Sequence, residues 1–138
     1  AAGDSYLSAG TAPTMSAATL YNNLNDGNTS NDPFILDVRS AADYALSHVT
    51  GAVNIPWKTV ADPANAAKLP SDKQIVVICY TGHTASYATM TLNLLGYNAT
   101  AMKYGMTSWT VDPVKNPSIT TTKAYDVTVD CMDYPCAH

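Results

Sequence analysis

Gln74-Ile75-Val76-Val77-Ile78-Cys79-Tyr80-Thr81-Gly82-His83-Thr84 is the stretch on which the fold turns. Its first half is a short β-branched run, the pattern of a strand buried on both faces. Its second half is a tight loop with one glycine. Beyond it Ala85, Ala88, Leu92 and Leu95 recur at helical spacing as far as Gly96, a natural helix stop. Strand, loop and helix in that order put Cys79 at the carboxyl end of a strand, the end at which open α/β sheets bind ligands. Loop amides and a helix N-terminus favour negative charge there, and with it the thiolate that makes cysteine nucleophilic. A buried cysteine that merely ends a strand is the alternative reading. The Gly82 turn and the loop placement favour the reactive one.

The same alternation extends in both directions. Upstream, Ser16 can cap a helix with Leu20, Tyr21 and Leu24 on one face. A polar loop over 25–33 leads to Phe34-Ile35-Leu36-Asp37-Val38, a second buried strand. Ser40 and Asp43 form a variant capping box that opens a short helix. Ala52-Val53-Asn54-Ile55 reads as a short strand closed by Pro56, and one or two short helices follow around Pro63. Downstream, Ala99-Thr100-Ala101-Met102 is a strand, and Gly105 to Trp109 a helical turn before Asp112-Pro113. Strands alternating with helices predict an α/β fold with a small parallel sheet and helices on both faces. Residues 1–13 are small and polar and are expected to be flexible. The domain proper spans 14–112. Residues 113–138 are a C-terminal extension expected to pack on it, with Tyr125, Val127 and Val129 alternating as an added edge strand.

Composition narrows the class. The 138 residues suffice for one domain with a sizeable core. No apolar run reaches transmembrane length, so membrane insertion is not expected. Seven basic against eleven acidic residues give a net charge of −4, which argues against nucleic acid as a partner. Every acid is Asp, and Arg39 is the sole arginine. The start, Ala1-Ala2-Gly3-Asp4-Ser5, fits either a mature terminus after signal cleavage or a cloning boundary. Cys131 and Cys136 flank four residues that include a proline. In an oxidising compartment they could close a small disulfide; two free thiols or a metal site are the alternatives. With His138 they make a poor zinc set, because structural sites use four ligands at tighter spacing. No cofactor and no metal is expected. An exported, periplasmic location is favoured, with the cytoplasm as the alternative.

Four stretches resemble the rhodanese family of sulfurtransferases. They are Leu36-Asp37-Val38-Arg39 with Asp43-Tyr44, the run from Ser47-His48-Val49-Thr50-Gly51 to Ile55-Pro56, the Cys79 loop, and Gly105 to Trp109. They fall in the family's order over about residues 14–112. Ser47 replaces a usual glycine, and Tyr104 replaces the first of a glycine pair. The resemblance implies a single-domain rhodanese-like sulfurtransferase. Cys79 would take a sulfane sulfur as a persulfide and pass it to a thiol or cyanide. The donor would be thiosulfate, polysulfide or another persulfide. The alternative is a persulfide carrier that delivers sulfur to a partner protein.

Residues Tyr80, Thr81, Gly82, His83, Thr84 and Ala85 are the expected persulfide-binding loop, their N–H groups holding the outer sulfur. The loop holds no arginine or lysine to grip a sulfonate, only His83, which is otherwise an exposed first-turn residue. Lys103, just past the last core strand, is the nearest candidate cation. Arg39 and Asp43 are expected to form an ion pair at the first strand–helix junction. Asp37 ends its strand on the rim that carries Cys79, where it either shapes the pocket or caps the next helix. His48 is expected to be a hydrogen-bonded scaffold residue, and Trp109 and Tyr44 core or pocket wall. A cysteine phosphatase is disfavoured, because such a loop ends in an arginine and here that position is Ala85.

Overall fold

The computed structural model describes residues 2–116 and 134–137. Five parallel strands form one sheet: β1 (Thr14–Met15), β2 (Phe34–Asp37), β3 (Val53–Asn54), β4 (Ile75–Ile78) and β5 (Ala99–Met102), in the order β1-β5-β4-β2-β3. The central strand β4 is buried at all four positions, as its unbroken β-branched run requires. Its neighbours are locked in register, Leu36 and Asp37 beside Val77 and Ile78 on one side, and Val77 beside Ala101 on the other.

Alternate side chains of β4 serve two cores. Ile75, Val77 and Cys79 face α5 (His83–Leu94) together with Ala85, Ala88 and Leu92. Val76 and Ile78 face the opposite layer, which holds Leu20 of α2 (Ala17–Leu24), Met106 and Trp109. The expected α/β architecture, a small parallel sheet covered on both faces, is what forms.

The caps agree with the sequence. Ser16 Oγ accepts the Thr19 N–H at 3.0 Å, and Ser40 Oγ accepts the Asp43 N–H at 3.1 Å, opening α3 (Ala41–Leu46). A 3-10 turn (Trp57–Thr59) and α4 (Pro63–Ala66) fill the stretch around Pro63. The N-terminal region departs from expectation. Residues 2–7 form a short helix, α1 (Ala2–Leu7), in contact with α5, and Thr14–Met15 pairs with the end of β5 as the edge strand β1. The alternating Tyr125, Val127 and Val129 lie outside the described residues. The described part of the extension does pack on the domain. The Tyr134 ring stacks on Tyr21 at 3.8 Å, Trp109 Nε1 donates to the Pro135 carbonyl at 3.0 Å, and His48 bridges Ala137.

Two features of the fold set the position of the cysteine loop. The first is a 3-10 helix over Gly105–Ser108. Gly105 (φ +53°) lies so close to the loop that a Cβ there would stand 2.3 Å from the Cys79 carbonyl oxygen. The second is a buried ion pair at the end of β2. Arg39 is 1% exposed; its Nη2 lies 2.7 Å from Asp37 Oδ2, and its Nε contacts both carboxylate oxygens at 3.1 Å.

Gly105→Ala is expected to destabilise the protein by about 3 kcal/mol, since the methyl must displace backbone and the left-handed φ penalises any Cβ. Urea unfolding would report it, and a loss near zero would mean that the turn moves freely. Asp37→Ala leaves the guanidinium buried without its partner and should cost about 3–5 kcal/mol. The double replacement Asp37→Leu with Arg39→Met should recover most of that loss. A cost below about 1 kcal/mol for Asp37→Ala would show that the charge is easily hydrated.

Candidate active site

The loop that begins at Cys79 is built by three constraints. β4 delivers Cys79 to the carboxyl end of the sheet, α5 starts at His83, and the three residues between must turn sharply. Gly82 supplies the turn with φ +94° and ψ −13°, a left-handed conformation that disfavours any Cβ. A Cβ at Gly82 would also lie 3.2 Å from the Tyr104 backbone nitrogen.

The 3-10 helix then fixes which way the loop peptides face. Met106 N–H donates to the Cys79 carbonyl at 2.8 Å, and Thr107 N–H donates to the Tyr80 carbonyl at 3.1 Å. Both peptides are trans, so their N–H groups, on Tyr80 and Thr81, point the opposite way. The next one, on Gly82, donates to Cys79 Sγ at 3.0 Å. His83, Thr84 and Ala85 form the first turn of α5, where N–H groups have no preceding carbonyl within the helix. The loop therefore commits the Cys79 and Tyr80 carbonyls to the 3-10 helix and offers the sulfur the Gly82 N–H. That arrangement suits a sulfur anion and needs no charged side chain. Cys79 is 1% exposed, so an incoming reagent meets it only at the floor of the loop.

The side chains of the loop divide. Ala85 is buried in the core against Cys79. Thr81 and His83 are exposed, and the His83 ring lies 5.5 Å from that of Tyr87. A shallow cleft of about 530 Å³ beside the loop is lined by Thr81, Gly82, His83, Ser86, Lys103 and Tyr104. Lys103 thus stands on the flank of the loop. Tyr104 holds φ +60°, a left-handed conformation.

Tyr80 reaches furthest. Its hydroxyl donates to Asp43 Oδ2 in a short contact and accepts the Ser40 N–H at 3.3 Å. The Ser40 hydroxyl also bonds Asp43 Oδ2, at 2.7 Å. The Tyr80 bond, then the Ser40 bond, hold the Asp43 carboxyl below the ordinary aspartate range. Burial, reinforced by the bond to Asp43, pushes the Tyr80 phenol above its ordinary value. The Tyr80 ring also covers Arg39, whose Cζ is 5.8 Å from the ring centroid.

The expected Arg39–Asp43 pair is therefore corrected. Arg39 binds Asp37 and the Ser47 carbonyl (2.6 Å), while Asp43 binds Tyr80 and Ser40. Asp37 neither faces a pocket nor caps α3; it is fully buried under Arg39. His48 Nδ1 lies 2.9 Å from the Tyr44 carbonyl, and its ring stacks on Tyr44 at 3.9 Å. Trp109 belongs to the core on the face of the sheet opposite Cys79. Cys136 is a free thiol, and Cys131, its expected disulfide partner, lies outside the described residues. Among the described residues no cluster of metal-ligating side chains forms. Sequence reasoning missed Ser40 and Asn54 as supports of the loop's neighbour. Asn54 Nδ2 donates to the carbonyls of Asp37 and Arg39, both at 3.0 Å, and holds the turn after β2.

Comparison with known proteins agrees with this geometry. A family model for the rhodanese-like domain matches residues 16–112. An adenylyltransferase and sulfurtransferase of Meyerozyma guilliermondii is 34% identical over 85 residues, covering 56% of this chain and 20% of that protein. A putative sulfur carrier protein of Bacillus subtilis is 34% identical over 77 residues, covering 55% of this chain and 40% of that one. The chain thus spans well under half the length of these curated relatives. The crystal structure of a rhodanese-related protein from Thermoplasma volcanium superposes with a TM-score of 0.61 at 28% identity, covering 70% of this chain and 88% of that one. With the matched region running from the cap of α2 past Trp109 and taking in the whole cysteine loop, the chain belongs to the rhodanese-like domain family.

Proposed function

We propose that the protein is a sulfurtransferase that moves sulfane sulfur through a persulfide on Cys79. The observation that carries the reading is the Gly82 N–H donating to Cys79 Sγ at 3.0 Å, where the loop enters the first turn of α5. In the first step the Cys79 thiolate attacks the outer sulfur of the donor. A bond from Cys79 Sγ to that sulfur forms, and the bond from that sulfur to the donor breaks. The donor leaves with the electron pair, as sulfite from thiosulfate, as a thiolate from an organic persulfide, or as a shorter chain from polysulfide. In the second step an acceptor thiolate or cyanide attacks the outer sulfur, and the pair returns to Cys79. The persulfide between the two steps is an anion, and the loop amides stabilise it as they would an oxyanion.

The burial of Cys79 supports a slender donor, because only a narrow sulfur chain reaches the loop floor. The absence of arginine and lysine between Cys79 and Ala85 makes polysulfide or a small persulfide at least as suitable as thiosulfate. Sulfur carriage to a partner protein is a second reading. It is supported by the likeness to a putative sulfur carrier and by a cysteine sheltered from water, which suits a stored persulfide.

Intact mass after incubation with thiosulfate, and separately with polysulfide, should show the gain of one sulfur atom. Cys79→Ser should gain none while keeping its thermal transition. Sulfur found on Cys79→Ser, or mapped to Cys131 or Cys136 in the unaltered protein, would overturn the assignment. Turnover with cyanide and small thiols distinguishes enzyme from carrier. A persulfide that forms but outlives every small acceptor would favour carriage.

A further inference from the structure

Tyr80 does something that its place in the loop does not require. A capping box closes when the carboxylate at the third helical position bonds the N–H of the capping residue. In α3 the box is open: the Ser40 N–H goes to the Tyr80 phenol oxygen at 3.3 Å, and the Asp43 carboxylate takes the phenol hydrogen and the Ser40 hydroxyl. The helix would be capped as well by its own residues. What the inserted phenol adds is a tie between α3 and the cysteine loop, spanning residues 37 apart in sequence.

We propose that the Tyr80 hydroxyl is a positioning group for sulfur loading: anchored on Asp43 and Ser40, it holds the first peptides of the cysteine loop so that their N–H groups meet the incoming sulfur. The inference rests on the sulfurtransferase reading above. The two backbone bonds from Met106 and Thr107 hold the loop from one side, by its carbonyls. A peptide held only there can still rock about that line of bonds. Tyr80 supplies the third point, its hydroxyl reaching the cap and first turn of α3. The Asp43 carboxylate is itself fixed by the first turn of α3, since Ser40 Oγ bonds both its N–H and its Oδ2. The anchor is therefore preorganised, and a small misplacement of transition-state donors is costly in rate.

Tyr80→Phe tests the idea, because it keeps the ring over Arg39 and removes only the hydroxyl. Single-turnover loading from polysulfide, read by intact mass, should slow about 10-fold at saturating donor, with the half-saturating donor concentration unchanged. Asp43→Ala should slow loading to a similar degree, and adding it to Tyr80→Phe should bring little further loss, the signature of two groups acting as one. Asp43→Asn, which keeps an acceptor for the phenol, should recover part of the rate. Loading by Tyr80→Phe at the unaltered rate would overturn the proposal. So would a change confined to half-saturation, which would make Tyr80 a substrate contact, and so would full additivity of the two losses. If the unaltered protein takes up no sulfur at all, the sulfurtransferase reading falls and this proposal with it.

Discussion

A contact between two stretches of backbone holds this site together. Gly105 sits against the Cys79–Tyr80 peptide at a distance that leaves no room for a side chain, and its neighbours Met106 and Thr107 engage the carbonyls of Cys79 and Tyr80. The direction of the first two loop peptides follows from that packing. With those two acceptors spent on the 3-10 helix, the Gly82 N–H is the donor that meets the sulfur. The site has donor character without a cation in its ring, in a chain whose formal charge is −4. Dipoles fixed in this way do not reorganise when charge arrives, which makes them effective toward an anionic intermediate.

The ion pair at the end of β2 plays the complementary part. Asp37 and Arg39 are buried together, and the Arg39 guanidinium also bonds the Ser47 carbonyl, so the turn after β2 is tied to the end of α3. Asn54 holds the same turn through the carbonyls on either side of Val38. The result is a stiff platform beside the loop, and Tyr80 lies across it. The family's aspartate-valine-arginine motif thus serves architecture here. Its charges pair with each other inside the core.

Much of this was legible in the sequence, for identifiable reasons. The unbroken run Gln74–Ile78 followed by a glycine turn and an apolar helical stripe admits few readings other than strand, loop and helix, and the structure places β4 and α5 accordingly. Ser16 and Ser40 announced their helices because capping is a local interaction. The Arg39–Asp43 pair failed because four-residue spacing implies contact only within a helix, and Arg39 precedes the cap at Ser40. Its side chain folds back on Asp37 instead. The reach of Tyr80 to Asp43 leaves no local trace, since the two are brought together only by the pairing of β2 with β4. Strand β1 was equally hidden. Two residues have no periodicity to read, and Thr14 becomes a strand through Ala101.

The pieces of the cysteine setting come from opposite ends of the domain. Residues 37–43 supply the platform, 79–85 the thiol and its amides, and 104–107 the backing, and they meet only when parallel strands have paired in the order β5-β4-β2. Parallel pairings of this kind are non-local and late. While the chain is being made, Cys79 is for a time an ordinary thiol on an unfinished strand, unable to gather the amides that distinguish it. On the proposed sulfurtransferase reading, chemical competence is a property of the completed domain alone, and sulfur uptake at Cys79 would amount to a certificate that the last strand has gone in.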